Sequence, residues 1–175
     1  MSESTSTQMG MHNETLTGRD IKTQLTPENE RGFAYHFARD VDFNRRAEID
    51  CAELEPTEIN RRIWELMDSG HGSIVIRNPG AKHSLIVGIL NRMNIIVEGS
   101  LGYFGCGLLD GPTVRVSGRV GWSFGENMMA GVCVVEENAG STFGAALRGG
   151  DLVCRGSVGS RTGIDQKGGS IIVGG

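Results

Sequence analysis

Short apolar runs recur through the second half of the chain at a constant interval of 19 residues. Each run is three residues long and follows a glycine-rich stretch. The five runs are Ile95–Val97, Val114–Val116, Cys133–Val135, Leu152–Cys154 and Ile171–Val173. A helical solenoid needs about 33 residues or more for each helix pair, so this period is too short for one. The pattern predicts a parallel β-helix in which each coil stacks its strand about 4.8 Å from the next.

Because side chains alternate between the two faces of a strand, the runs can be compared as columns. The first and third positions are apolar in all five repeats, so we predict that they face the interior of the coil. The middle position has an arginine, Arg115, in only one repeat. A solvated face is expected to be more polar, and we therefore expect another part of the chain or a partner to cover this column. The candidate partner interface consists of Ile96, Val134, Val153 and Ile172.

Glycine is concentrated in the same region, where residues 99–175 contain twenty of the 27 glycines. A phosphate-binding loop does not fit residues 99–111, because no lysine follows them before Lys167. A dinucleotide-binding loop does not fit either, because Asp110 occupies the place of its third glycine. We predict structural turns instead, often with positive φ. The predicted turn glycines are Gly102, Gly105, Gly107, Gly121, Gly125, Gly140, Gly144, Gly159 and Gly163.

The 19-residue period is absent from the first part of the chain. Residues 1–26 are polar and are expected to be mobile. Residues 27–72 are predicted to form a helical N-terminal segment and cap, with one helix over 27–40 and a stronger one over 55–70. The second helix has an apolar stripe that can cap the open end of the β-helix of residues 73–175, and this stripe consists of Ile59, Ile63, Leu66 and Met67.

Composition excludes several functional classes. The net charge is −4 and no basic cluster with interleaved aromatic residues is present, so we expect no nucleic-acid partner. No apolar run approaches 18 residues, and the first residues do not resemble a secretory signal, so we expect no membrane contact. The four cysteines lack metal-like pairing, which indicates a reducing, cytoplasmic location.

The chain contains no nucleophile–base pair, metal cluster or cofactor loop, so no catalytic, cofactor-binding or metal-binding residue is predicted. Cys106 lies between two glycines, where we favour a small side chain at a turn over a reactive or tunnel-lining thiol. Phe124 and Phe143 are one period apart and are predicted to stack. These features are typical of a scaffold.

The glycine pattern resembles that of a known family. G-x-x-G-x-G-x-x-x-G at 102–111 and "GDLVCRGSVGSRTGIDQKGGSIIVGG" at 150–175 are similar to the GXGXG domain, which ends the large subunit of glutamate synthase and also occurs as a free-standing subunit. The resemblance covers residues 50–175 and implies an all-β fold, a right-handed parallel β-helix. The runs "SIVIRNPGAKHS", "GSLGYFGCGLLDGP" and "GRVGWSFGENMMAGV" look most like the β-helix subunit of N-methylglutamate synthase (methylamine–glutamate N-methyltransferase).

This resemblance implies one subunit of a three-part enzyme. The expected partners are a glutamine amidotransferase-like subunit and a synthase-like subunit that binds FMN and an iron–sulfur cluster. The β-helix itself would hold no cofactor and would frame an ammonia path. The family's β-helix continues beyond Gly175, so the chain is either a fragment or has a cover for its last coil.

Three alternatives stay open from the sequence. The chain could belong to a separately encoded glutamate synthase, or resemble the formylmethanofuran dehydrogenase subunit that uses the same fold. It could also be a β-helix scaffold that assembles with itself and has no enzyme partner.

Overall fold

The computed structural model describes residues 39–175, and the predictions for residues 1–26 and for nearly all of the helix over 27–40 lie outside this range. Seven strands form one sheet in the order of the chain, and each neighbouring pair is parallel. The predicted parallel β-helix is therefore confirmed. The strands are β1 (Asp42–Asp50), β2 (His71–Arg77), β3 (Asn94–Glu98), β4 (Asp110–Val116), β5 (Ala130–Val135), β6 (Asp151–Cys154) and β7 (Ser170–Val173).

The pairing register confirms the 19-residue period. From β3 onward the paired residues are 19 positions apart, as Ile95 and Val114 or Leu152 and Ile171 are. The exception is Asp110, which pairs with Ala130 before a register shift in β4. The first coil is longer, because Ile74 pairs with Ile95, which is 21 positions on. Each coil therefore places chemically matched positions directly above one another.

The interior of the coil is formed by the two inward columns that the sequence predicts. Their members in β3 to β6 are buried, and Val114, Val116 and Leu152 have no exposed surface. Phe124 and Phe143 extend this core at the opposite side of the coil, where their rings stack with centroids 5.8 Å apart. In β7 Val173 is exposed, because no described coil lies beyond it.

Helix α1 (Pro56–Asp68) lies at the start of the coil and confirms the helix predicted over 55–70. Proline at its first position fits the fixed φ of that site, and the stripe at every fourth residue buries Ile59, Ile63 and Met67 in the core. The Asn60 side chain supplies hydrogen bonds to the backbone that a neighbouring coil supplies elsewhere in the β-helix. Its amide nitrogen donates to the carbonyl of Ser84 at 2.7 Å, and its oxygen accepts from the Ile86 amide at 2.8 Å.

Strand β1 was not predicted. It pairs in parallel with β2, and its register shifts between Asp42 and Arg46. Only Ile49 is buried in it, Ala47 is half-buried, and the other side chains of the strand are exposed. Since the alternating apolar pattern of a half-buried strand is missing, the sequence holds no clear signal for β1.

Candidate functional site

The outer face of the sheet carries the predicted interface column. The register aligns its members along one line that begins at Val75 in β2, with Arg115 as the only charged member between β2 and β7. Ile96 is 43% exposed and Ile172 is 56% exposed. Val134 and Val153 are half-buried. The structure thus aligns the four predicted residues as an apolar stripe that Arg115 interrupts once.

Ion pairs flank this stripe. Glu136 lies between two arginines, with its carboxylate 2.7 Å from Arg115 Nε and 3.0 Å from Arg155 Nη1. At the other end, Arg77 pairs with Glu48 at 3.0 Å and with Glu98 at 2.7 Å. A hydrogen bond from Arg77 lowers the pKa of Glu48, which keeps this carboxylate ionised. An apolar centre with a charged rim is the usual composition of a protein interface.

A groove opens at the β1 end of the stripe. Phe43 lies within the register shift of β1, and its exposed ring lines the groove. Val75 and Ile96 line the floor, and Arg46 contributes to the rim. Phe43 and Arg46 were not among the predicted site residues, because the strand that positions them was not predicted.

The predicted turn glycines fall into two groups by physical role. Gly125, Gly144 and Gly163 have positive φ, which most side chains disfavour. The other column lacks positive φ, but each member lies so close to the coil below that a Cβ atom would overlap it; this column consists of Gly102, Gly121, Gly140 and Gly159. A Cβ atom at Gly105 would lie only 3.3 Å from Leu101 and Phe124, whereas a Cβ atom at Gly107 would lie at an ordinary contact distance of 3.7 Å from the Glu126 carbonyl oxygen.

A second outer feature lies at the corner of the coil, where aromatic rings stack along the axis. His83 stacks on Tyr103 with ring centroids 4.6 Å apart, and Tyr103 stacks on Trp122 at 5.2 Å. We call these three rings the outer ladder. Tyr103 is 42% exposed and Trp122 is 57% exposed, so the rings face away from the core. The close glycine column lets the rings lie against the backbone, as Trp122 does against Gly140.

More apolar surface adjoins the outer ladder. Phe104 and Leu108 are both about half exposed and line a shallow groove with Val87, Asn60 and Glu126. Sequence reasoning missed four exposed residues here, namely Tyr103, Phe104, Leu108 and Trp122. The only signal was that Tyr103 and Trp122 are 19 residues apart in the same glycine-rich context.

In sequence, the chain is similar to protein GlxC of Rhizobium meliloti (strain 1021). The two are 40% identical over 88 residues, which is 50% of this chain and 39% of GlxC. The match therefore spans well under half the length of that curated relative. No family model matches the chain, and no solved structure does. The similarity to GlxC and the parallel coil fit the β-helix family that the glycine pattern resembles.

The four thiols are buried and poorly reactive. Cys106 has no exposed surface, and burial together with the neighbouring Cys133 thiol raises its pKa. Burial also raises the pKa of Cys51 and Cys154. Because the thiolate is the nucleophile, these groups are poorly suited to attack a substrate at neutral pH.

The described part of the chain offers neither a metal site nor a membrane-spanning helix. Across residues 39–175, no three His, Cys, Asp or Glu side chains are grouped so that they could hold a metal ion. In the same range, no helix combines the length and the apolar character needed to cross a bilayer.

Proposed function

We propose that this chain is the scaffolding subunit of a cytoplasmic glutamate-synthase-like complex, and that this complex is an N-methylglutamate synthase. In that reaction methylamine replaces the amino group of glutamate, which yields N-methylglutamate and ammonia. The glycine pattern, the parallel coil and the similarity to GlxC support a subunit of the glutamate-synthase-related kind.

The observation that carries the proposal is the apolar stripe on the outer sheet face. Large apolar side chains such as Ile96 and Ile172 remain exposed there, whereas the inward columns of β3 to β6 are filled. Exposed apolar surface that is bordered by charged groups is typical of a protein–protein contact. We assign this stripe to the amidotransferase-like or flavin-binding subunit.

The proposal places the chemistry in the partners. FMN and the iron–sulfur cluster would belong to the synthase-like subunit, and ammonia would pass along the coil between the two active subunits. The buried thiols, including Cys106, support a structural role for this chain, because none is available to a substrate at the surface.

Reconstitution tests the proposal. Methylamine-dependent release of ammonia from glutamate is measured with this chain alone, with the two partner subunits alone, and with all three. We expect turnover only from the three-part complex. Turnover by this chain alone would overturn the scaffold role. Turnover with glutamine and 2-oxoglutarate but not with methylamine would instead identify a glutamate synthase.

Variants then locate the interface. Ile96→Lys or Ile172→Lys should weaken assembly, because an interface core excludes an unpaired charge. Thr57→Lys, on the exposed surface of helix α1, is the matched control and should assemble normally. Cys106→Ala should keep at least about a third of the activity, a change of less than ~0.7 kcal/mol in the barrier. Loss of the chemical step in assembled Cys106→Ala would show that this chain takes part in catalysis.

A further inference from the structure

The column that carries the outer ladder changes abruptly in size along the axis. Three coils place His83, Tyr103 and Trp122 in it, and the next two coils place Ser141 and Ser160 at the same position. The two serine hydroxyls lie 3.2 Å apart, so they continue the same column. Bulky rings therefore end at Trp122, and beyond them lies a step where only small side chains project.

The neighbouring column begins with Ser84 and also changes in size along the axis. Phe104 is exposed in the coil of Tyr103, whereas the following coils carry Ser123 and Thr142, whose hydroxyls lie 3.0 Å apart. The column then ends in Arg161, which is exposed. The outer-ladder column therefore protrudes in its first three coils and is recessed in the next two, whereas the neighbouring column protrudes at Phe104 and Arg161 and is recessed between them.

We propose that this corner is a dimer interface between two copies of the chain, related by a two-fold axis between the coils of Trp122 and Ser141. A two-fold contact pairs each residue with a partner that makes the reverse contact. The two-fold axis lies between these two coils and runs perpendicular to the long axis of the β-helix. Trp122 of each copy then fills the recess at Ser141 of the other copy. The two outer ladders then join into one continuous stack of six rings.

Further pairs near the axis are complementary in this arrangement, whereas Leu108 faces Asp165 of the second copy and does not belong to the complementary set. Tyr103 faces Ser160 of the second copy, and Phe104 faces Arg161, where a guanidinium over an aromatic ring is attractive. Arg119 faces Asn138 of the second copy, so this arginine does not meet its own copy. A shifted register would place ring against ring or leave the steps empty, so the alternation of large and small side chains specifies a single arrangement.

The exposed aromatic surface is smaller than a standard interface and suits only a weak dimer. The exposed parts of Tyr103, Phe104 and Trp122 amount to a few hundred Å², which is the range of functional patches on single proteins. A standard interface takes about 800 Å² from each partner, so the ladder supplies the centre of a modest interface. We expect a dissociation constant in the micromolar range. The outer sheet face is not used, and the dimer is independent of the proposed function.

Sedimentation velocity of the full chain over about 1–200 µM tests the proposal. The wild-type chain should show a reversible monomer–dimer equilibrium. Trp122→Ser removes the ring and should raise the dissociation constant by at least about thirtyfold, as expected for a central aromatic residue. Ser141→Trp fills the step and should weaken the dimer to a similar degree. Phe43→Ser, an exposed aromatic residue on the sheet face, is the control and should leave the equilibrium unchanged.

A mixture of the two variants gives the most specific result. In a heterodimer of Trp122→Ser with Ser141→Trp, each bulky ring again faces a serine, so mixing should restore dimers that neither variant forms alone. Circular dichroism establishes that each variant is folded, and Ser141→Trp alone remains decisive if Trp122→Ser does not fold. A monomeric wild-type chain, or a dimer of unchanged affinity in either folded variant, would overturn the proposal.

Discussion

The coil carries two aromatic stacks at the same spacing, one inside and one outside. Phe124 and Phe143 are fully buried, whereas Tyr103 and Trp122 in the outer ladder are about half exposed. Trp122 and Phe124 are only two residues apart and would share a face in a regular strand. They do not share one here, because Ser123 between them has a φ of 56°. One left-handed residue thus separates a side chain that holds the fold from one that is available to a partner.

The largest difference between inside and outside should come from a buried charge. Val116 has no exposed surface, so Val116→Asp would bury a carboxylate without a partner and should cost several kcal/mol or force its protonation. Thr113, on the same strand, points outward and is exposed. Thr113→Asp should change the free energy of unfolding by less than about 0.5 kcal/mol. Equal losses in urea denaturation would show that the assigned facing is wrong.

The two stacks themselves provide the next contrast. Phe124→Ala removes a fully buried ring and should cost about 3–5 kcal/mol of folding free energy. Trp122→Ala removes a larger ring that is mostly exposed, and should cost about 1 kcal/mol or less. Urea unfolding at low protein concentration, where a dimer is dissociated, measures both. A Trp122→Ala loss as large as that of Phe124→Ala would mean that the outer ladder holds the fold.

Alanine substitutions at two glycines should give a similar contrast with a smaller change in stability. A Cβ atom at Gly102 would overlap the His83 ring and the Ala81 carbonyl, so Gly102→Ala should cost about 1–3 kcal/mol and disturb the outer ladder. A Cβ atom at Gly107 would lie 3.7 Å from its nearest neighbour, the Glu126 carbonyl oxygen, and Gly107 does not have a positive φ. Gly107→Ala should therefore be neutral or stabilise the chain by up to about 1 kcal/mol. The reverse order in thermal unfolding would contradict the assignment of these two positions.

The sequence predicts the strands well because one physical rule governs them. Inward positions must be apolar in every coil, so the columns through Val114 and Val116 repeat at a fixed period. The corner follows a different rule. Left-handed residues at Phe104, Cys106 and Leu108 break the alternation of side chains, and the direction of each then depends on the neighbouring coil.

Strand β1 could not be predicted from the sequence for a different reason. Strand β1 contributes one buried side chain, Ile49, and takes its conformation from pairing with β2. Phe43 and Arg46 in the groove follow from that pairing, so neither was predictable. The outer stripe was predictable because Ile96 and Ile172 share the period of the strands.

The cofactor content of the native assembly tests the central claim most directly. The chain is purified through an affinity tag from the cells that produce it, and the absorbance spectrum and iron content of the resulting complex are measured. A scaffold of a glutamate-synthase-like enzyme should co-purify with FMN and iron in fixed proportion to itself, and Ile96→Lys should remove both. A native assembly that contains only this chain, without flavin or iron, would contradict the account.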